Sequence, residues 1–311
     1  MKSEYSLLVV LDRRLPGTKE VAYGKKFDKT TLYLNTGRKL IPLSAIEISR
    51  CYYAFNRKLP PALRKDDFSM EKLRPLIEKR IGKKYAAVLL DKKTKFNLNI
   101  LINSGGGGAF YKSILKRVIE FVKGRKGKVN SFTFLYAYSA AQILFSETEK
   151  RYCLKFSEFL CHRGYSPDDS YKKSKYYDED IERNSDFHYH KEMLTKFFER
   201  HKPSADEKIE KLMQDALQKP KHDLFLSGYL AERWGMADKA FHSYDDFAAS
   251  VQKHIGRAAF EHDRVSRLIK KAGRAYEKLL SGNNRYGLRY PFFESLNDME
   301  RELLKSLFGD T

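Results

Sequence analysis

The sequence predicts an α/β fold, and three stretches carry the prediction. Leu98 to Gly108 reads as an apolar strand ending in a glycine run, with an amphipathic segment from Ala109 to Lys123 behind it. Ser131 to Tyr138 reads as a second strand, which delivers Ser139 into the apolar A-A-Q-I-L-F. Arg151 to Cys161 reads as a third, ending in C-H-R-G with His162. Strands alternating with helical patterns make a mostly parallel sheet. In such sheets, sites gather at the carboxyl ends of the strands, where the glycines, Ser139 and His162 all fall.

In chain order, residues 5–11 and 29–35 read as short strands that begin the sheet, with a turn at Pro16-Gly17 between them. Leu43 to Asn56 has Ile46, Tyr53 and Phe55 at roughly helical spacing and Ser44 placed as an N-cap, so a helix is expected. Residues 58–84 hold Pro60-Pro61, a charged cluster and a short helix around Met70 to Ile81, with no role assigned. Tyr85 to Leu90 reads as a short strand. From Ala109 to Lys123, Phe110, Ile114, Leu115, Val118, Ile119 and Val122 recur at three- and four-residue intervals, an amphipathic helix. A glycine run opening such a helix offers unpaired N–H groups to a phosphate or a developing oxyanion. The run is no Walker A loop, since no G-K-[ST] follows, and it lacks the spacing of a dinucleotide site.

Ser139 stands at a strand-to-helix junction, the position of a nucleophile elbow, although G-x-S-x-G itself is absent. Past His162, residues 166–178 read as a polar, tyrosine-rich loop, Glu179 to His201 as a long charged helix, and Ser204 to Leu217 as a helix with a capping box from Ser204 and Glu207. Phe225 to Asp238 reads as a turn, a short helix and a closing turn. From about Ser243 a basic helical tail follows.

The 311 residues carry a formal charge of +20, a bias toward acidic partners. The cations are spread along the chain and no zinc-finger or RNP-like motif appears, so a solvated basic surface is expected rather than a nucleic-acid site. Cys51, Cys153 and Cys161 lack C-x-x-C spacing and are too few for a disulfide framework, which points to a reducing compartment. The opening apolar run of five is too short for a signal or a membrane span, so a soluble cytoplasmic protein is expected. His188 and His190, two apart on a helix, point to different faces and make poor metal ligands. No metal or cofactor is expected.

Taken together, these residues resemble the proteolytic subunit of the Clp protease (ClpP), within the wider ClpP/crotonase fold of repeated β-β-α units. The family's I-N-S-P-G-G loop has its counterpart in I-N-S-G-G (Ile102 to Gly106), its A-S-M-G-like serine context in Y-S-A-A (Tyr138 to Ala141), and its R-[FY]-C-L-x-x-[SA]-x-x-x-[IL]-H in R-Y-C-L-K-F-S-E-F-L-C-H (Arg151 to His162). Downstream, I-E-K at Ile209, F-L-S-G at Phe225 and W-G-M-A-D at Trp234 resemble later family motifs. The similarity covers roughly residues 29 to 240, with 1–28 as an N-terminal segment, 29–242 as the peptidase-like domain and 243–311 as a basic helical extension.

The resemblance implies a serine peptidase, with Ser139 as nucleophile, His162 as general base, and the N–H groups of Gly106 and Ala140 as oxyanion donors. The loop proline is replaced by Gly105, and the glycine two residues after the serine by Ala141. The aspartate expected after I-E-K is replaced by Leu212; Asp215 or Asp223 would take its place, Asp215 being nearer to the motif. The resemblance also implies polypeptide substrates, a homo-oligomeric ring and an ATP-driven unfoldase as partner, with Glu179 to His201 as the ring-to-ring handle. Two other readings follow from the same residues: a weakly active or inactive ring subunit, because of Leu212, and a crotonase-type acyl-CoA enzyme using the glycine loop.

Overall fold

The sheet is built from short runs of apolar and β-branched residues, and its parallel centre aims every strand end of interest the same way. The computed structural model describes residues 5–12, 15, 32–56, 69–107, 109–161, 224–233 and 235–280; the expected helices at 179–201 and 204–217 lie outside them. The strands are β1 (Ser6–Leu11), β2 (Leu32–Asn35), β3 (Leu40–Leu43), β4 (Asn97–Ser104), β5 (Val129–Tyr138), β6 (Lys150–Leu154), β7 (Glu158–Cys161), β8 (Leu224–Ser227) and β9 (Lys239–Phe241). They run in the order β3-β2-β1-β4-β5-β6-β9, with β7 against β5 and β8 against β7. β1, β4, β5, β6, β7 and β9 pair in parallel, whereas β2 and β3 are antiparallel additions. The fold is therefore α/β, as the sequence predicts. β1 and β4 are buried almost end to end, the continuous apolar pattern of strands covered on both faces.

Two expectations require correction. Arg151 to Cys161 is two strands, not one: β6 pairs with Asn130 to Thr133 of β5, and β7 with Tyr136 to Tyr138. The break between them is stabilised by the Ser157 hydroxyl, which donates toward the carbonyls of Thr133 (3.2 Å) and Phe134 (2.6 Å) and accepts from the N–H of Leu154 (3.0 Å). Tyr85 to Leu90 is not a strand but part of a helix, Lys83–Leu90. Gly82, at φ 83°, ends the preceding helix, and Ala86, Leu89 and Leu90 are buried at helical spacing. A short apolar run fits either period, and here the burial follows 3.6.

The helices are α1 (Ala45–Asn56), α2 (Met70–Ile81), α3 (Lys83–Leu90), α4 (Ala109–Lys123), α5 (Ala140–Ser146), α6 (Gly228–Arg233), α7 (Tyr244–Ile255), α8 (Arg257–Phe260) and α9 (Asp263–Leu280). Ser44 caps α1 by accepting from Glu47 N–H at 3.3 Å. α1 packs on α4, where Phe55 meets Phe121 at 6.0 Å and the buried Arg125 guanidinium lies 3.8 Å from the Phe121 ring. β8 occupies part of the expected turn at Phe225, and α6 is the short helix expected after it.

The chain divides into two compact units, residues 1–161 with 225–269, and residues 162–224 with 270–311. In the first, α7 covers one sheet face: Phe247, fully buried, meets Phe134 at 5.1 Å, Phe241 at 5.7 Å and Phe132 at 6.3 Å. Its last carbonyls are capped from the sheet, because Asn35 donates to Ile255 (2.7 Å) and Asn99 to His254 (3.3 Å), while Asn130 donates to Asn99 (3.0 Å). Among the described residues no helix is long and apolar enough to cross a membrane.

Candidate active site

The site forms where β4, β5 and β7 end side by side. β4 and β5 run in register from Leu98 opposite Val129 to Ile102 opposite Thr133, after which two extra residues on β5 bring Ala137 opposite Ser104. That irregularity advances the end of β5 along the glycine loop. β7 pairs Leu160 with Tyr138, so three parallel strands stop at one level.

Ser139 is the residue between β5 and α5, and its backbone has φ 53° and ψ −122°. A non-glycine residue there costs on the order of 1–3 kcal/mol and persists only when its surroundings over-determine it. The surroundings are visible: its N–H donates to Leu160 C=O at 2.9 Å, and its C=O accepts from Ile143 N–H at 3.1 Å. The Ser139 side chain makes no capping bond to α5, so the hydroxyl is not spent on the helix end. The residue is half-buried, with Ala140, Ala141 and Gln142 buried behind it.

Gly106 lies against this elbow. At φ 76°, a Cβ there would stand 2.4 Å from Tyr138 C=O, 2.8 Å from Ser139 Cβ and 3.2 Å from Ala140 N. The position admits only glycine. Gly105, the residue in place of the family's loop proline, is exposed and faces open space. The Gly106 N–H donates to Ser104 Oγ at 3.3 Å, a long bond within a turn of the loop. The N–H of Ala140 is the first of α5, and the first four N–H groups of a helix have no partner within it. Ser139, Gly106 and Ala140 are therefore brought together. His162, Asp215 and Asp223 lie outside the described residues, as does the side chain of Cys161.

Sequence reasoning missed Leu15. It is buried, its N–H donates to Gly106 C=O at 2.6 Å, and it forms a parallel bridge with Gly107. A single leucine after Arg13-Arg14 carries no local signal of such a contact, which depends on a register about 90 residues away in sequence. Asp12, just past β1, accepts from Arg264 Nη2 at 2.8 Å. The phenol of Tyr136 is raised above its usual pKa, first by burial and then by the charge of Asp12. Among the described residues, no cluster of three His, Cys, Asp or Glu could hold a metal. Cys51 and Cys153 are free and buried.

The arrangement offers a hydroxyl on a strained turn beside backbone N–H groups, the parts an acyl-transfer site uses to bind a developing oxyanion. No curated protein matches the chain. Among solved structures, a peptidase from Plasmodium falciparum is 15% identical, with TM-score 0.33, over 56% of this chain and 87% of its own. A point mutant of ClpP1 from Listeria monocytogenes is 17% identical, with TM-score 0.32, over 57% and 88%. The model of the Clp protease family matches residues 74–243, from within α2 through the glycine loop, the Ser139 elbow and β9. That match takes in more than half of the sequence, and the chain belongs to the Clp protease family.

Proposed function

We propose that the chain is a serine peptidase of the Clp type, hydrolysing peptide bonds with Ser139 as nucleophile. The observation that carries this reading is the strained Ser139 backbone seated against Gly106, since strain of this kind collects at functional turns. Ser139 Oγ attacks the substrate carbonyl. His162 takes the hydroxyl proton and returns it to the leaving amine, and water then resolves the acyl-enzyme by the same route. His162 directly follows β7, whose Leu160 carbonyl holds the Ser139 N–H, and this connectivity supports the assignment. The N–H groups of Gly106 and Ala140 stabilise the oxyanion; the Gly106 donor exchanges its long bond to Ser104 for the substrate oxygen. Asp215 orients the imidazole. Membership of the family supports polypeptide substrates, a homo-oligomeric ring and a separate ATP-driven unfoldase.

The test is modification by a fluorophosphonate, followed by peptide mapping. Label is expected on Ser139 in the wild type, with none in Ser139→Ala and a strongly slowed reaction in His162→Ala. Assembled wild-type protein that takes no label would overturn the assignment and favour an inactive ring subunit, whereas peptide turnover that survives Ser139→Ala would overturn it by showing that another group is the nucleophile.

A further inference from the structure

The glycine loop is held from two sides, and only one belongs to the elbow. On the β5 side, Gly106 is seated against Tyr138, Ser139 and Ala140. On the β1 side, the chain leaving β1 returns to the loop. The β1–β4 ladder ends with Leu11 opposite Ile102 and resumes with Leu15 opposite Gly107, with one more residue on the glycine side. There the Leu15 N–H donates to the Gly106 carbonyl at 2.6 Å. That carbonyl lies on the peptide following the one that carries the proposed oxyanion donor, so fixing it limits how the loop can swing.

The connector is itself anchored. Asp12, between β1 and Leu15, accepts from Arg264 at 2.8 Å, and the two side chains are only 26% and 19% exposed. Arg264 is in the first turn of α9, and its backbone N–H also reaches His262 Nδ1 at 3.4 Å. We infer that Leu15, through its backbone N–H, and the Asp12–Arg264 pair are positioning residues for the proposed reaction, fixing the oxyanion loop against Ser139. The inference rests on the peptidase reading above. A run of four glycines has little conformational preference of its own, so the alignment of a donor within it must come from neighbours. Misplacing a catalytic group by about 1 Å can cost ~100-fold in rate.

The experiment uses the full-length assembled protein and measures the rate of fluorophosphonate modification of Ser139 together with kcat and KM on a fluorogenic peptide. Leu15→Pro removes the N–H, whereas Leu15→Ala keeps it and loses side-chain packing. Leu15→Pro is expected to lower kcat by ~100-fold with KM within about threefold of the wild type, and Leu15→Ala by less than about tenfold. Should Leu15→Pro fail to fold, the ion pair supplies the second arm: Asp12→Arg and Arg264→Asp singly are each expected to lower kcat by roughly tenfold, and the double exchange to recover most of it. Equal losses in Leu15→Pro and Leu15→Ala, or single charge variants that lower thermal stability while leaving kcat and the labelling rate unchanged, would overturn the inference. A wild-type protein unreactive at Ser139 would instead count against the peptidase reading itself.

Discussion

Gly106→Ala is the sharpest test of the glycine loop, because the structure specifies what the added methyl meets. The new Cβ would stand 2.4 Å from the Tyr138 carbonyl oxygen and 2.8 Å from Ser139 Cβ, at a backbone φ of 76°. Holding alanine in that left-handed region costs ~1–2 kcal/mol, and relieving the overlap requires loop and elbow to separate by on the order of 1 Å, at a further ~1–3 kcal/mol. The methyl also approaches Ala140 N to 3.2 Å, the side from which the oxyanion would be bound. Losing one oxyanion donor lowers kcat by roughly 100- to 1,000-fold, about 2.7–4 kcal/mol. The assay is the pseudo-first-order rate of fluorophosphonate labelling at Ser139, with thermal unfolding followed in parallel. Gly105→Ala is the control, since Gly105 is exposed with open space where its Cβ would go; its rate is expected within about twofold of the wild type, the difference of an ordinary surface change. A Gly106→Ala protein that labels within about threefold of the wild type would refute the claim that this glycine is matched to the elbow.

Ser139→Gly is expected to abolish labelling and to raise stability by about 1 kcal/mol, because relief of ~1–3 kcal/mol of backbone strain exceeds the ~0.5–1 kcal/mol entropy cost of glycine; a lower denaturation midpoint would contradict the strain assigned to φ 53° and ψ −122°. Phe247→Ala removes the ring wedged among Phe132, Phe134 and Phe241 and should cost ~3–5 kcal/mol by urea unfolding, with a loss below 1 kcal/mol showing that α7 is only loosely applied to the sheet. Burial pushes the Cys51 thiol up to about 12. The folded state therefore keeps a proton that the unfolded chain gives up near its ordinary value of ~8.5, and stability falls as pH rises above that value. The contribution of Cys51 is ~1.4 kcal/mol per pH unit until pH reaches about 12. Urea midpoints from pH 8 to 10.5 should therefore fall less steeply in Cys51→Ala, and identical slopes would exclude the effect.

Much of the fold was legible because its signals are local. The helix Met70–Ile81 matched its expected limits, as did Ala109–Lys123, whose three- and four-residue apolar spacing survives in the buried Ile114, Leu115, Val118, Ile119 and Val122. The strand preceding Ser139 was legible from its aromatic and β-branched run. Tyr85 to Leu90 misled because six apolar and aromatic residues suit a strand or a helix equally, and the choice fell to Gly82 and to what Ala86 and Leu89 could bury against. The break at Ser157 misled because nothing local distinguishes one long strand from two. It depends on where β5 offers its carbonyls.

By itself the sequence determined that a serine would follow a strand and that a glycine loop would lead into a helix, because each is a matter of neighbours along the chain. Only the tertiary structure decided that Gly106 would touch Ser139, that Ser139 would take a strained backbone held by Leu160, and that Leu15 would return to the loop. Those contacts depend on the register of parallel strands, including the two-residue irregularity between β4 and β5. Parallel register is fixed by side chains packing across the whole sheet, which no window of sequence contains.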